Sequence, residues 1–441
     1  MIPTPISEYT QRRQKLFDLM DDCSAAIIFS SEEQQRNSDV NFPFRQNSNF
    51  LYLTGFNEPC AALILVKHKS QSSLLFLRPK DSLKETWDGV RLGLEAAPAS
   101  LVIDQAYEIA DFNLKITEVL EGLDTVYWPI TLNKRFDQSI FDAINTLKAS
   151  ARIGKKAPHQ FSDISPMLAE LRLFKSPHEV SLMQTAANIS AKAHVRAMKL
   201  AKAGLFEYQL EAELLHEFAQ SGAREPAYSS IVGSGNNACI LHYIENNSCL
   251  AQGDLVLIDA GCEFNGYAAD ITRTFPVSGQ FTAAQKAIYQ LVLDAQYAAI
   301  EEIQPGKPWD AAHLASVEVI TSGLLDLGIL HGDLQRLIEE EAYKPFYMHR
   351  IGHWLGLDVH DVGDYKINGE WRHLQPGMVL TIEPGIYINK DNTDVDQKWR
   401  GIGVRIEDDI LVTENGHRNL TAAVPKEIDL IEALMEDDNK A

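Results

Sequence analysis

The pair Asn265-Gly266 stands between two apolar runs, residues 254–259 and 267–275. Asn-Gly is a preferred filling of the two-residue hairpin turn, because both central positions need positive φ. The β-branched and aromatic residues of the flanking runs read as strands. Counting outward from the turn sets Phe264 opposite Tyr267 and Asp259 opposite Thr272. Asp270 then shares a sheet face with Thr272 and is a diagonal neighbour of Asp259, within side-chain reach. A bulge would bring the two aspartates directly opposite. Taken alone, the hairpin is read equally well as carrying two solvent-facing aspartates.

Two further acids weaken that plainer reading. Glu383 ends the run Met378-Val-Leu-Thr-Ile-Glu383 and is followed by Pro384-Gly385; proline holds the residue before it extended. Glu407 ends Gly401-Ile-Gly-Val-Arg-Ile-Glu407, where the period of two puts Arg405 on the same face. A carboxylate where the chain leaves a core needs a partner or a metal. For Glu407 a salt bridge to Arg405 is the simpler alternative. His353 lies between Gly352 and Gly356, with His349 and His360 close by. The spacing from His353 to His360 would send the two rings to opposite faces of a straight strand, whereas a bend at Gly356 lets both reach one pocket. A lone histidine is more often a hydrogen-bonded core residue than a ligand, but three so close together favour a site. Asp259, Asp270, His353, Glu383 and Glu407 together are too acidic to gather without cations. Four carboxylates match two divalent ions, which points to a dinuclear hydrolase. Oxygen-dominated ligands with one imidazole suit Mn²⁺ and also accept Co²⁺, Fe²⁺ or Zn²⁺.

At 441 residues the chain exceeds one ordinary domain, and its 45% hydrophobic content is ample for two cores. No run approaches the ~20 apolar residues of a membrane span, and the first residues lack the charged and apolar regions of a secretory signal. Five cysteines, none spaced Cys-x-x-Cys, suggest free thiols in a reducing cytoplasm. A net charge of −21 argues against a nucleic-acid partner. Residues 7–21 read as a helix, and 25–30, 61–67 and 73–78 as strands, giving an α/β domain over residues 1–176. Ser176-Pro-His-Glu179 then opens a long helix, with Ser176 as cap, Pro177 in the first turn and Glu179 closing a capping box. Val180, Met183, Ala187 and Ala191 form its apolar stripe, and a second domain occupies residues 177–441. The acidic stretch from Glu436 is expected to fray.

Several segments carry a family resemblance. They are Ile231-Val-Gly-Ser-Gly-Asn-Asn-Ala-Cys-Ile-Leu-His-Tyr243, Asp259-Ala-Gly261, Asp270-Ile-Thr-Arg-Thr-Phe275, His349 to His360, Glu383-Pro-Gly385 and Arg405-Ile-Glu407. In the amino-terminal third, Asn37-Ser-Asp39, Phe44-Arg-Gln-Asn-Ser-Asn-Phe50 and Tyr52-Leu-Thr-Gly-Phe56 join them. Together they resemble the metal-dependent peptidases of the pita-bread fold, and within these the bacterial aminopeptidase P group. The resemblance implies an α/β leading domain that serves oligomerisation and site closure, followed by an α+β pita-bread catalytic domain. It implies release of an amino-terminal residue before proline, with prolidase as the rival activity and a metal-free peptide-binding protein as a remote one. Asp259, Asp270, His353, Glu383 and Glu407 would hold two metals, manganese by preference, with Glu383 as proton shuttle. His242 and His360 would hydrogen-bond the substrate and the tetrahedral intermediate, or else support a ligand. Arg405, Tyr387 and Asp39 would form a polar network beside the metals, and Tyr228 and His349 would help to bind substrate. Trp87, in a polar loop at residues 85–93, would reach a neighbouring subunit's site in a tetramer; simple packing is its alternative. Arg350 departs from the pattern, since many relatives carry glycine there, and a long cation at that place would narrow or charge the pocket mouth.

Overall fold

The computed structural model describes residues 4–437, so the end of the acidic stretch that starts at Glu436 lies outside the described residues. The chain divides into two compact units, Ile2–Arg172 and Leu173–Ala441. The division falls before the capping-box helix because Lys175 already belongs to the second unit. Its ammonium is buried against Asp361 at 3.1 Å, and its backbone N–H donates to Gly377.

The first unit is built on a six-stranded mixed sheet. Ser24–Phe29 and Ala62–Lys67 pair antiparallel at its centre, and their β-branched and aliphatic runs are almost wholly buried. Gln71–Leu77 extends the sheet on one side, and Thr125–Trp128 joins parallel to the first strand on the other. Helices Phe112–Leu120 and Lys134–Ala149 lay Ile116, Leu120, Ile140 and Ile144 against Ile27, Ile64 and Phe76. Burying each such side chain contributes ~1.5–3 kcal/mol, and this cluster is the unit's core.

The second unit opens with helix Pro177–Leu200, capped by Ser176 and Glu179 in a complete capping box. It pairs with helix Glu207–Gln220, after which come the strands Ile231–Ser234, Leu255–Asp259 and Thr272–Pro276 in one antiparallel sheet. The element order then recurs. Helices Ala283–Glu301 and Ala311–Asp326 pack together, and Val379–Ile382, Gly385–Ile388, Ile402–Arg405 and Asp408–Thr413 form the second set of antiparallel strands. This helix-pair-then-sheet repeat was not visible in the sequence.

The hairpin has the register that its turn dictates, with Phe264 facing Tyr267 and Asp259 facing Thr272. Asn265 and Gly266 have φ of 51° and 88°, as a type I′ turn requires. The strands break at Ala260-Gly261 and at residues 269–271. Only glycine fits at 261, because a Cβ there would run into the carbonyl of Ala269.

Candidate metal centre

Each candidate carboxylate sits where a strand stops or breaks. Asp259 is the last residue of Leu255–Asp259, Asp270 lies in the break just before Thr272–Pro276, and Glu383 follows Val379–Ile382. Glu407 occupies the step between Ile402–Arg405 and Asp408–Thr413. His353 comes from an irregular segment laid along Val379–Ile382. His353 and Thr381 exchange hydrogen bonds, and Glu383 N–H donates to Ile351 O. Gly352 is required there, since a side chain would collide with Thr381. Gly356 acts the same way against Asp361, without left-handed φ. It therefore supplies space where conformational freedom was expected. The rings of His353 and His360 do meet, with centroids 4.3 Å apart.

Ligand atoms of Asp270, His353 and Glu407 all lie within 4.8 Å of one another. His353 Nδ1 faces the carbonyl of Trp354 at 3.0 Å and so carries a proton. Nε2 is left toward Asp270 at 3.4 Å and Glu383 at 3.6 Å, which makes it the ligating nitrogen. Tyr228 OH contacts Asp259 at 2.6 Å and also Asp270. Burial pushes Asp259 upward, against the pull of Arg405 and of the Tyr228 hydroxyl. Asp270 goes the other way. Burial presses it up, but the hydrogen bond and charge of His353 outweigh that and hold it low.

Arg405 corrects one sequence expectation. Its guanidinium pairs with Asp259 at 2.6 Å, not with Glu407. Glu407 instead accepts from Thr272 Oγ1 at 2.6 Å, and Thr272 Oγ1 in turn accepts from Arg405 Nε. Arg405 Nη1 also donates to Tyr387 OH at 3.0 Å. Tyr387 then has its proton free for His349 Nε2 at 2.8 Å, while His349 Nδ1 donates to Arg350 O at 2.8 Å. Both nitrogens of His349 are thus engaged within the protein, and burial keeps it neutral, near 4. It is placed to orient Tyr387 and has no nitrogen left for a substrate.

The five candidate ligands, Arg405 and His349 line one cavity of about 490 Å³, with His242, His360, Tyr228 and Arg350 also on its wall, while Tyr387 lies behind it. Asp39 and Trp87 belong to the other unit. Asp39 is exposed between the short strands Gln35–Asn37 and Val40–Asn41. Trp87 lies on a short helix, Ser82–Asp88, rather than in the loop expected, because the Asp81 side chain caps that turn. It is 83% exposed, so it does not pack within its own chain.

The donor set fits a divalent cation. Burial beside its neighbours' charges drives Glu407 well above the carboxylate range. Burial also lifts Glu383 to about 7, against the pull of His353 and Arg405. Burial opposes charge on His353, yet the hydrogen bond to Asp270 and the charge of Glu383 raise it to about 9. Such a cluster holds protons in place of cations and exchanges them when a metal binds.

The sequence reading missed the charge clamp behind the cluster. Arg273, fully buried, donates to Asp408 at 2.7 Å and to the carbonyls of Thr272 and Glu407 at 2.9 and 2.6 Å. Lys426 reaches Asp408 from the other side at 2.7 Å. The available signal was an arginine on the same strand face as Ile271 and Phe275, which demands a buried partner.

With this geometry in view, similarity to known proteins decides the family. Residues 181–414 match metallopeptidase family M24, and residues 9–127 match the aminopeptidase P N-terminal domain. The chain belongs to family M24. The Xaa-Pro aminopeptidase of Haemophilus influenzae is 50% identical over 436 residues, covering 99% of this chain and 98% of that one. The solved structure of Pseudomonas aeruginosa aminopeptidase PepP has a TM-score of 0.99 at 51% identity, covering 100% of both chains. Zinc-substituted Escherichia coli aminopeptidase P in complex with product has a TM-score of 0.97 at 48% identity, covering 99% of both. The leading domain followed by a pita-bread metallopeptidase domain agrees with the sequence expectation. Among the described residues, no helix is long and apolar enough to cross a membrane.

Proposed function

We propose that this protein removes the amino-terminal residue from peptides with proline in second position, using two divalent cations, manganese by preference, on Asp259, Asp270, His353, Glu383 and Glu407. The observation that carries the reading is the gathering of those five residues on one cavity in a chain with full-length likeness to Xaa-Pro aminopeptidases. Bound cations would neutralise the carboxylates and supply a water acidic enough to attack the peptide carbonyl near neutral pH.

The chain's own residues do the rest. Glu383, at the cavity wall beside His353, takes the proton of the attacking water and delivers it to the proline nitrogen as the bond breaks. His242 and His360, on the same wall, hydrogen-bond the carbonyl and the oxyanion that forms from it. Arg405, held between Asp259 and Tyr387, fixes the orientation of Asp259, and His349 fixes Tyr387. The loaded site would take the free α-amine, a role that an acetylated amide nitrogen cannot fill. Asp39 and Trp87 act at the site as their family likeness implies, Trp87 from a neighbouring copy in a tetramer. The unpaired cysteines support a cytoplasmic location.

The test is hydrolysis with Mn²⁺ of an Xaa-Pro-Xaa tripeptide, its N-acetylated form and an Xaa-Pro dipeptide. Cleavage of the free tripeptide alone, or far ahead of the others, is expected. A dipeptide strongly preferred to the tripeptide would establish prolidase activity instead, and equal cutting of the acetylated peptide would reject the aminopeptidase reading.

A further inference from the structure

The cavity has two arginines, and only one is committed. Arg405 is fully engaged by Asp259, Thr272 and Tyr387. Arg350 is exposed on the wall, and among the described residues no carboxylate lies within ion-pair distance of its guanidinium. Its position is nonetheless fixed. Its carbonyl accepts from His349 Nδ1, which pins the backbone, and its guanidinium lies 5.0 Å from the Trp371 ring centre. Trp371 sits on the hairpin Lys366–Ile367 and Glu370–Trp371, turned by Asn368 and Gly369 at φ of 53° and 89°. Its half-buried ring packs on the core around Trp309 and Trp354, so it is an anchored platform. A second cation, Lys366 Nζ, lies over the same ring at 4.4 Å.

An arginine stacked on an aromatic keeps its N–H edges free and loses less entropy when it binds a planar anion. The cavity wall therefore carries an uncommitted cation as well as the carboxylates. In the proposed reaction a single residue precedes the scissile bond, so the peptide's C-terminal carboxylate and every later side chain lie on the leaving side, and with the four carboxylates neutralised by bound cations Arg350 is the uncommitted charge on the wall. We infer that Arg350, held on Trp371 and assisted by Lys366, binds a carboxylate on the leaving side of the scissile bond. That carboxylate is the free C-terminus of a short peptide or an acidic side chain just after proline. Arg350 is thereby a specificity-determining residue for charge and length on that side. The inference rests on the proposed aminopeptidase reading.

The experiment compares Xaa-Pro-Ala as free acid with its C-terminal amide, and amidated Xaa-Pro-Asp-Ala with amidated Xaa-Pro-Asn-Ala. The readout is the ratio of kcat/KM within each pair, which is independent of the active fraction of a preparation. The parent should favour at least one carboxylate form by about fivefold, carried mainly in KM and reduced by salt. The pair that shows it distinguishes a terminal from a side-chain carboxylate. Arg350→Gln should bring the ratio close to one, and Arg350→Lys should restore part of it. A parent ratio of one in both pairs, or a ratio that survives Arg350→Gln, overturns the inference. Failure to cleave either member of any pair would instead reject the aminopeptidase reading, so the two failures are distinct.

Discussion

Arg273→Met removes the one cation that ties the two ligand-bearing strand systems together from behind. The Arg273–Asp408 pair is wholly inaccessible to solvent, and breaking a buried pair from one side costs ~3–5 kcal/mol. Asp408 keeps Lys426 at 2.7 Å, Asn419 Nδ2 at 2.9 Å and Thr421 Oγ1 at 2.9 Å. The loss should therefore fall at the lower end, about 3 kcal/mol. Lys426 still balances the aspartate, so the loss is mainly that of the bonds from Arg273 to Asp408, Thr272 O and Glu407 O. The assay is amide hydrogen exchange across 255–276 and 402–413. There, 3 kcal/mol appears as protection lowered by about two decades. A variant that loses less than about 1 kcal/mol would refute the clamp.

Other outcomes follow from the same geometry. The parent should hold about two Mn²⁺ per chain and Glu407→Gln at least one fewer, by elemental analysis. Loading the apoprotein near pH 7 should release about two protons per chain, since Glu407, His353 and part of Glu383 hold protons when no cation is present; no buffer-dependent heat in titration calorimetry would contradict this. His194 is buried neutral, near 4 against an ordinary 6.5, through burial and despite its bond to Ala260 O. Its share of stability is present above pH 6.5 and lost as pH falls toward 4, so the parent should lose about 3 kcal/mol more than His194→Gln over that window; matching slopes would remove the argument. Trp87→Ala should leave folding and metal content intact but weaken assembly in sedimentation and slow turnover of longer peptides; a fully active parent monomer would count against it.

What could be read from the sequence was local. Asn265-Gly266 fixed a register that held for every pair named, because turn chemistry and the period of two act over a few residues. The five candidate ligands, which line one cavity, stood out because the acids end or lie within apolar runs, where a carboxylate needs a partner or a metal, and because His353 is rimmed by glycines and other histidines. Long-range pairing was not legible. Arg405 lay two residues from Glu407 but chose Asp259, 146 positions away, since the break after Arg405 turns Glu407 out of the simple alternation. The clamp of Arg273, Asp408 and Lys426 joins three remote segments, and no local pattern says which buried cation meets which buried acid. Trp87 was set in a loop because glycines rim that stretch, although Asp81 was a cap in plain view.

The two charge systems belong together. Lying within 4.8 Å of each other, Asp270 and Glu407 if both ionised would repel by at least about 3.5 kcal/mol at an effective dielectric constant of ~20. That repulsion would push apart the strands that carry them before any cation arrives. The apoprotein has two means of resisting it. Glu407 keeps its proton, and Arg273 bonds Thr272 O, Glu407 O and Asp408 at once, a restraint of the same magnitude as the repulsion. Alternation along the strand makes this possible, since Thr272 turns its hydroxyl to Glu407 and Arg405 while Arg273, the next residue, turns to Asp408. The acid cluster thus requires a cationic clamp on the opposite side of the same strands. The ligand geometry is then set by folding, and a metal enters a site whose protons it has only to displace.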